Sequence, residues 1–353
     1  MANIEDLETP AVTIQLDRLE ANIARLQAML DERRIANRPH IKTHKIPEIG
    51  RMQMAAGAVG ITCQKLDEAA VFIDAQVAQD VLVAFNIVGR TKTDRLMELS
   101  SRVKRLAVIA DNEVVVRGLS EAAVHHRREV PLLLECDTGA GRNGVQSPEA
   151  ALSLAQFARR MPNIRFEGLL TFPTTGPKEA AFLRCALELF RAEGIPVPVV
   201  SGGGTPALLA LADFPMLTEH RAGTYVYNDA MTVRSGFATW EDCAMQVRAT
   251  VVSLPTADRA IIDAGSKVLT REQFGLEGFG RVVEYPEASV ANVSEEHGMI
   301  DLSRSTRKPK VGEVVSVIPN HCCVVSNMVD EVHGVRGGAV EVTWTVAARG
   351  GVR

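Results

Sequence analysis

Over its first two thirds the chain alternates short apolar, β-branched runs with amphipathic stretches. Runs with strand character stand at 39–43, 60–64, 80–85, 105–110, 130–137, 165–172, 197–201 and 217–227. Between several of them, at 16–32, 66–75, 112–125, 147–160 and 177–193, apolar residues recur at helical spacing. Ser147-Pro148-Glu149 opens one helix with a capping residue and a proline at the first helical position. Strand–helix alternation predicts parallel strands joined by crossover helices. Eight such units predict a closed (β/α)8 barrel over 17–235, with an open doubly wound sheet as the alternative.

The texture changes near residue 235. Runs at 246–254, 259–268, 281–285, 289–293, 314–319 and 339–347 are β-branched and separated by turn residues. They predict an all-β C-terminal domain over 236–353, which an early strand at 10–16 could join.

Composition changes this picture little and excludes several functions. The 353 residues are 46% hydrophobic and 23% charged, values of a globular chain. Lys plus Arg is 39 against 43 for Asp plus Glu. A net charge of -4 argues against a nucleic-acid partner and gives no basic surface for a membrane. No apolar run approaches the roughly 20 residues of a membrane span. The acidic start, 1–10, lacks the basic and apolar regions of a signal peptide, so the expected location is the cytoplasm. The six cysteines are then expected as reduced thiols.

Four clusters could carry chemistry. In Arg38-Pro39-His40-Ile41-Lys42-Thr43-His44-Lys45, a lysine ending the first strand would point into the barrel mouth, where this fold places its active sites. There Lys42 could be an imine-forming nucleophile; the plain alternative is a basic surface turn. Ser201-Gly202-Gly203-Gly204-Thr205-Pro206 follows the seventh strand, where consecutive glycines let backbone N–H groups approach an anion. Gly223 and Thr224 would lie beside it; the alternative is a flexible turn. The segment 135–144 sets Glu135, Asp137 and Arg142 after the fifth strand, or simply caps the next helix. Finally, His321 and Cys323 share a face if 319–323 is a strand, and that pair suits a borderline-soft ion such as zinc. The alternative is a buried histidine with two core thiols. Glu296-His297 is a weaker neighbour for such a site.

At these residues the sequence resembles a family: the fold-type III, pyridoxal-phosphate enzymes of the D-threonine aldolase and D-serine dehydratase group. The matching segments are RPHIKTHK at 38–45, GITCQKLDEA at 60–69, ECDTGAGRNGV at 135–145, VSGGGTP at 200–206, RAGTYVYND at 221–229, DAGSK at 263–267, SEEHG at 294–298 and PNHCCVVSN at 319–327. The resemblance implies an alanine-racemase-like barrel plus a β domain. It implies Lys42 as the lysine that holds pyridoxal phosphate and Ser201, Gly202, Gly203, Thr205, Gly223 and Thr224 as the phosphate cradle. It further implies Arg142 facing the pyridine nitrogen, Gln64 touching the cofactor ring, and His321 and Cys323 as ligands of a divalent metal. His44, His297 or a metal-bound hydroxide could serve as general base.

The implied function is a lyase acting on β-hydroxy-D-amino acids, a D-threonine aldolase first. The alternatives are a D-serine or hydroxyaspartate dehydratase, then an amino-acid racemase or a non-catalytic cofactor-binding protein. Cys323 stands where aldolases of the family carry Asp, which shifts weight from manganese or magnesium toward zinc and dehydration. Phe172 stands where relatives usually carry a Tyr; it can pack but cannot donate a proton. A small amino-acid substrate and a homodimer are the implied partners.

Overall fold

The computed structural model describes residues 2–353. The chain packs as two compact units. One holds residues 26–42, 47–223 and 350–353; the other holds 2–25, 43–46 and 224–349. Sequence texture draws the division at 235, whereas by packing 224–235 goes with the β-rich unit. The chain therefore leaves the first unit between Lys42 and Thr43, and again between Gly223 and Thr224.

The first unit is built on eight parallel strands: Ala36–Asn37, Ile61–Cys63, Asp80–Asn86, Arg105–Ala110, Val130–Cys136, Ile164–Thr171, Val199–Gly203 and Glu219–Arg221. Each later strand pairs with the next along the chain, and the last pairs with the first, Glu219 opposite Ala36 and His220 opposite Asn37. A bridge between His40 and Thr62, with Thr62 N donating to Pro39 O at 2.8 Å, joins the first strand's continuation to the second. The ring is closed, and the open doubly wound sheet is excluded.

Seven of the eight expected strands are present, the last of them short; the run expected at 39–43 is not a strand, and the first strand is instead the short Ala36–Asn37 just before it. Pro39 has no N–H for the ladder, and Ile41–Thr43 turns into a 3₁₀ helix. Lys42 therefore sits in a single helical turn beyond the strand rather than at its end. Likewise the last strand stops at Arg221, and Thr224–Val226 is a 3₁₀ turn. The strand Val130–Cys136 is buried at every residue, as parallel strands covered on both faces are. Leu82, Ala107, Ile109, Leu133 and Leu170 form one buried cluster of the sheet. The crossover helices start on caps legible in the sequence: Ser147 Oγ accepts from Ala150 N at 3.1 Å, and Asn112 Oδ1 from Val115 N at 3.0 Å.

The second unit is antiparallel apart from one pairing. Strands Met245–Thr256, Arg259–Ile262, Gly298–Asp301, Ser289–Val293, Gly280–Val282 and Val314–Pro319 pair in that order, and Val314–Pro319 returns to pair with Met245–Thr256, closing a second ring. The strand Ala11–Gln15 pairs with Met245–Thr256 and, in parallel, with Glu331–Arg336. Among the described residues no helix is long and apolar enough to cross a membrane.

Candidate active site

In the barrel unit, polar side chains gather at the carboxyl ends of the strands. Lys42 is half-buried. His40, two residues earlier, is buried; its Nδ1 accepts from Lys42 N at 3.5 Å, and its Nε2 lies 3.1 Å from Gln64 Oε1. That pattern requires the Nε2–H tautomer of a neutral ring. Burial, then the positive charges of Lys42 and Arg221, hold the His40 pKa well below the usual histidine range. Gln64 is fixed in turn, its Nε2 donating to Ala84 O at 2.9 Å.

Arg221 closes the last strand and is 5% exposed. Its Nη1 donates to Ser201 Oγ at 2.6 Å and Gly202 O at 2.8 Å, and its Nη2 to Thr171 O at 2.9 Å. Burial pushes the guanidinium down to about 10, while Glu219 and Glu135 oppose the loss of charge, so it is cationic at neutral pH. Behind it runs a chain of partners, buried as far as Arg38 and ending at half-buried Asp80. Ser201 Oγ donates to Glu219 Oε1 at 2.6 Å, Glu219 Oε2 accepts from Arg38 Nε at 2.8 Å, and Arg38 forks onto Asp80 at 2.9 and 3.0 Å. The adjoining glycines are required by this crowding. A Cβ at Gly203 would lie 3.0 Å from Arg221 Nη2, and Gly204 has φ +103°. Glu135 is buried and pairs with Arg142 at 3.4 Å, whereas the Arg142 side chain is 53% exposed and lies over the Phe172 ring at 5.2 Å.

In the β-rich unit, the strand Val314–Pro319 ends at Asn320, and His321 is the N-cap of a helix, Cys322–Met328. Asp229, itself fully buried, orients this corner. Its Oδ2 accepts from His321 Nδ1 at 2.9 Å and from Cys322 N at 3.1 Å, and its Oδ1 caps the short helix Ala230–Arg234 through Thr232 N at 2.9 Å. With Nδ1 committed to Asp229, Nε2 is the ring nitrogen left for another partner, and the Cys323 thiol is within hydrogen-bonding reach of the ring. Burial disfavours the imidazolium, but the Cys323 sulfur and Asp229 outweigh it and raise His321 to about 10. Hydrogen bonding from Cys322, and then His321, holds the Cys323 thiol well below its usual range. Thr43 Oγ1 lies 3.3 Å and Thr224 Oγ1 3.9 Å from that sulfur. Among the described residues no third His, Cys, Asp or Glu completes a metal-binding group.

Two sequence families match this chain. The alanine racemase N-terminal domain matches residues 14–230, and the "Putative serine dehydratase domain" matches 244–335. The D-threonine aldolase of an Arthrobacter species is 34% identical, over 98% of this chain and 93% of its own. The protein belongs to the D-threonine aldolase and D-serine dehydratase family of alanine-racemase-like barrels. The crystal structure of D-threonine aldolase from Filomicrobium marinum superposes with a TM-score of 0.90 at 31% identity, covering 99% of this chain and 97% of that one. D-threo-3-hydroxyaspartate dehydratase of Delftia sp. is 30% identical over 96% of this chain and 97% of its own. A cysteine-to-alanine mutant of that dehydratase, solved in the metal-free form, superposes with a TM-score of 0.90 at 28% identity, covering 98% of this chain and 99% of that one. The relatives are enzymes, and so is this family member.

The structure brings some of the expected residues together and sets others apart. Lys42, Gln64, Ser201, Gly202, Gly203, Thr205 and Gly223 all lie in the barrel unit, and Thr224, His321 and Cys323 in the other. His321 and Cys323 are neighbours, but through a helix N-terminus and not through alternation on a strand. Ser201 offers no hydroxyl to a cofactor phosphate, because Glu219 and Arg221 occupy it. Arg142 is exposed, and Arg221 holds the buried cationic position. His44 is fully buried and its Nδ1 accepts from Ile46 N at 3.1 Å, which withdraws that nitrogen from acid–base work. His297 is exposed in a turn. Arg221, Glu219 and Asp229 were not singled out from the sequence. Strand alternation from Glu219 to Arg221, and an Asp three residues before Thr232, were the available signals.

Proposed function

We propose that this protein is a pyridoxal-phosphate- and divalent-metal-dependent lyase of β-hydroxy-D-amino acids, cleaving D-threonine to glycine and acetaldehyde. The observation that carries this reading is the His321–Cys323 pair, in which Asp229 fixes one imidazole nitrogen and leaves the other beside a thiolate-prone sulfur. A carboxylate-oriented histidine with a thiolate is a donor set for a borderline-soft ion, with positions left over for substrate. The barrel unit fits a phosphorylated aromatic aldehyde equally well. A Cβ at Gly202 would meet Leu217 at 2.8 Å and one at Gly203 would meet Arg221 at 3.0 Å, so these glycines offer bare backbone in a crowded place. When bound, pyridoxal phosphate supplies an electron sink for the carbon losing a bond, and the metal ion supplies Lewis acidity toward the β-hydroxyl.

The residues of this chain then have definite tasks. Lys42 would supply the amine that holds the cofactor, and Gly202, Gly203, Thr205, Gly223 and Thr224 its phosphate. Arg221 would face the ring, since it is a buried cation, whereas Arg142 is exposed. Neutral His40, locked between Lys42 N and Gln64, can orient but not protonate near neutral pH. His321 and Cys323 would hold the metal and thereby the substrate hydroxyl.

A dehydratase is the second reading. It is favoured by Cys323, whose soft sulfur suits zinc, and by the metal-free cysteine-to-alanine mutant of the dehydratase relative. The test is product analysis. Protein loaded with pyridoxal phosphate and either zinc or manganese is given D-threonine. Equal amounts of glycine and acetaldehyde support the aldolase; 2-oxobutanoate and ammonia replace it with the dehydratase. Neither product pair, with either metal, overturns both.

A further inference from the structure

The segment between the helix Ser266–Leu269 and the strand Gly280–Val282 contains a turn that its own sequence disfavours. Leu276 N donates to Gln273 O at 2.8 Å, so Phe274 and Gly275 are the central residues. Both have positive φ, +49° and +74°. A two-residue turn of this hand calls for Asn, Asp or Gly at both central positions. Gly275 satisfies the rule, and Phe274 breaks it. A bulky aromatic in the left-handed region is costly, and such a cost is kept at sites of function more often than elsewhere.

Phe274 does not recover the cost by burial, since it is 51% exposed. Its ring meets that of His321 edge to face, with centroids 4.8 Å apart at 63°. The loop is tied to the elements that carry the site. Asn320, which precedes His321, donates through Nδ2 to Gly278 O at 2.9 Å and to Glu272 O at 3.4 Å. Arg234, at the end of the helix that Asp229 caps, donates to Gly275 O. A half-exposed aromatic face is thus held, at a local conformational cost, against the imidazole assigned to the metal.

We propose that Phe274 is a specificity-determining residue that forms the wall met by the substituent on the substrate's Cβ, and that the preferred substrates carry an apolar, above all aromatic, group there. This rests on the metal reading above: the ion at His321 and Cys323 meets the β-hydroxyl, so the group next to that hydroxyl falls beside the Phe274 ring. An aryl substituent gains an aromatic contact, while a carboxylate meets the electron-rich face of the ring.

The test compares D-threonine, D-β-phenylserine and D-3-hydroxyaspartate on the loaded enzyme and on its Phe274→Gly and Phe274→Tyr variants. The expected result is a wild-type preference for phenylserine in kcat/KM. Phe274→Gly lowers the phenylserine-to-threonine ratio about tenfold, and Phe274→Tyr restores it. Two readouts are independent of turnover. Phe274→Gly should leave the metal content per chain unchanged, and should not lower the melting temperature of the cofactor-free protein, because glycine relieves the turn. A merely structural role predicts a lower melting temperature with an unchanged substrate ratio, and that result overturns the proposal. So does a wild-type preference for hydroxyaspartate that Arg234→Ala abolishes. A wild type inert toward all three substrates with both metals would instead remove the lyase reading, and the proposal with it.

Discussion

Asp229 Oδ2 accepts hydrogen bonds from His321 Nδ1 at 2.9 Å and from the backbone N–H of Cys322 at 3.1 Å. One carboxylate oxygen therefore sets the tautomer of the histidine and starts the helix that carries Cys323. Asp229→Ala should weaken metal binding roughly 10–100-fold, the usual loss when a partner of a metal-bound histidine is removed. It should also cost about 1 kcal/mol through the lost cap on Ala230–Arg234. Chelator competition measures the first effect and urea unfolding the second. Unchanged metal affinity would separate Asp229 from the His321 site.

The barrel interior makes a second prediction. Glu219 is 6% exposed and joins Ser201 to Arg38, with Arg221 on the far side of Ser201. Glu219→Ala leaves two buried guanidinium groups without their shared carboxylate. The expected loss is about 3–5 kcal/mol, read as a drop in the urea midpoint. Glu219→Gln, which keeps the shape and one acceptor, should lose less. Equal stability of wild type and Glu219→Ala would show that the charge chain contributes nothing net.

Stability should also fall in mild acid. His220 is fully buried, and neither ring nitrogen has a hydrogen-bond partner among the described residues. Burial, and then Arg221, lower its pKa from 6.5 to about 3. The unfolded chain thus takes up a proton near pH 6.5 that the folded chain refuses until about pH 3. The contribution is full above pH 6.5 and falls by about 1.4 kcal/mol per pH unit below it, or about 2 kcal/mol by pH 5. Buried His40, also lowered, acts in the same direction. Urea midpoints at pH 7 and pH 5 should show the decline, and His220→Leu should make it shallower. An identical decline in that variant would assign the acid sensitivity elsewhere.

The barrel was legible because its strands are continuous apolar runs, such as Val130–Cys136, bounded by capped helices. The helix Arg90–Ser100 was not, because its buried stripe is only Thr93, Leu96, Met97 and Leu99 among polar residues. The helix Cys322–Met328 reads locally as strand, with two cysteines and two valines at its start. It forms because its first N–H is met by Asp229, 93 residues earlier, a tertiary partner that no local pattern contains. The same limit explains Ser201 and Arg142. The glycine run marks a place where backbone faces a ligand, but strand position alone does not say that the Ser201 hydroxyl is spent on Glu219 and Arg221. Nor does it say that the cation turned inward is Arg221.

Cys323 as a metal ligand is central to the lyase chemistry proposed for this protein. The most direct measurement is the metal content and D-threonine cleavage of Cys323→Ala, reconstituted with pyridoxal phosphate and zinc alongside the wild type. The expected result is that the variant keeps the cofactor's absorbance, loses its bound metal and releases no glycine. A variant that binds one metal per chain and cleaves D-threonine at the wild-type rate would contradict it.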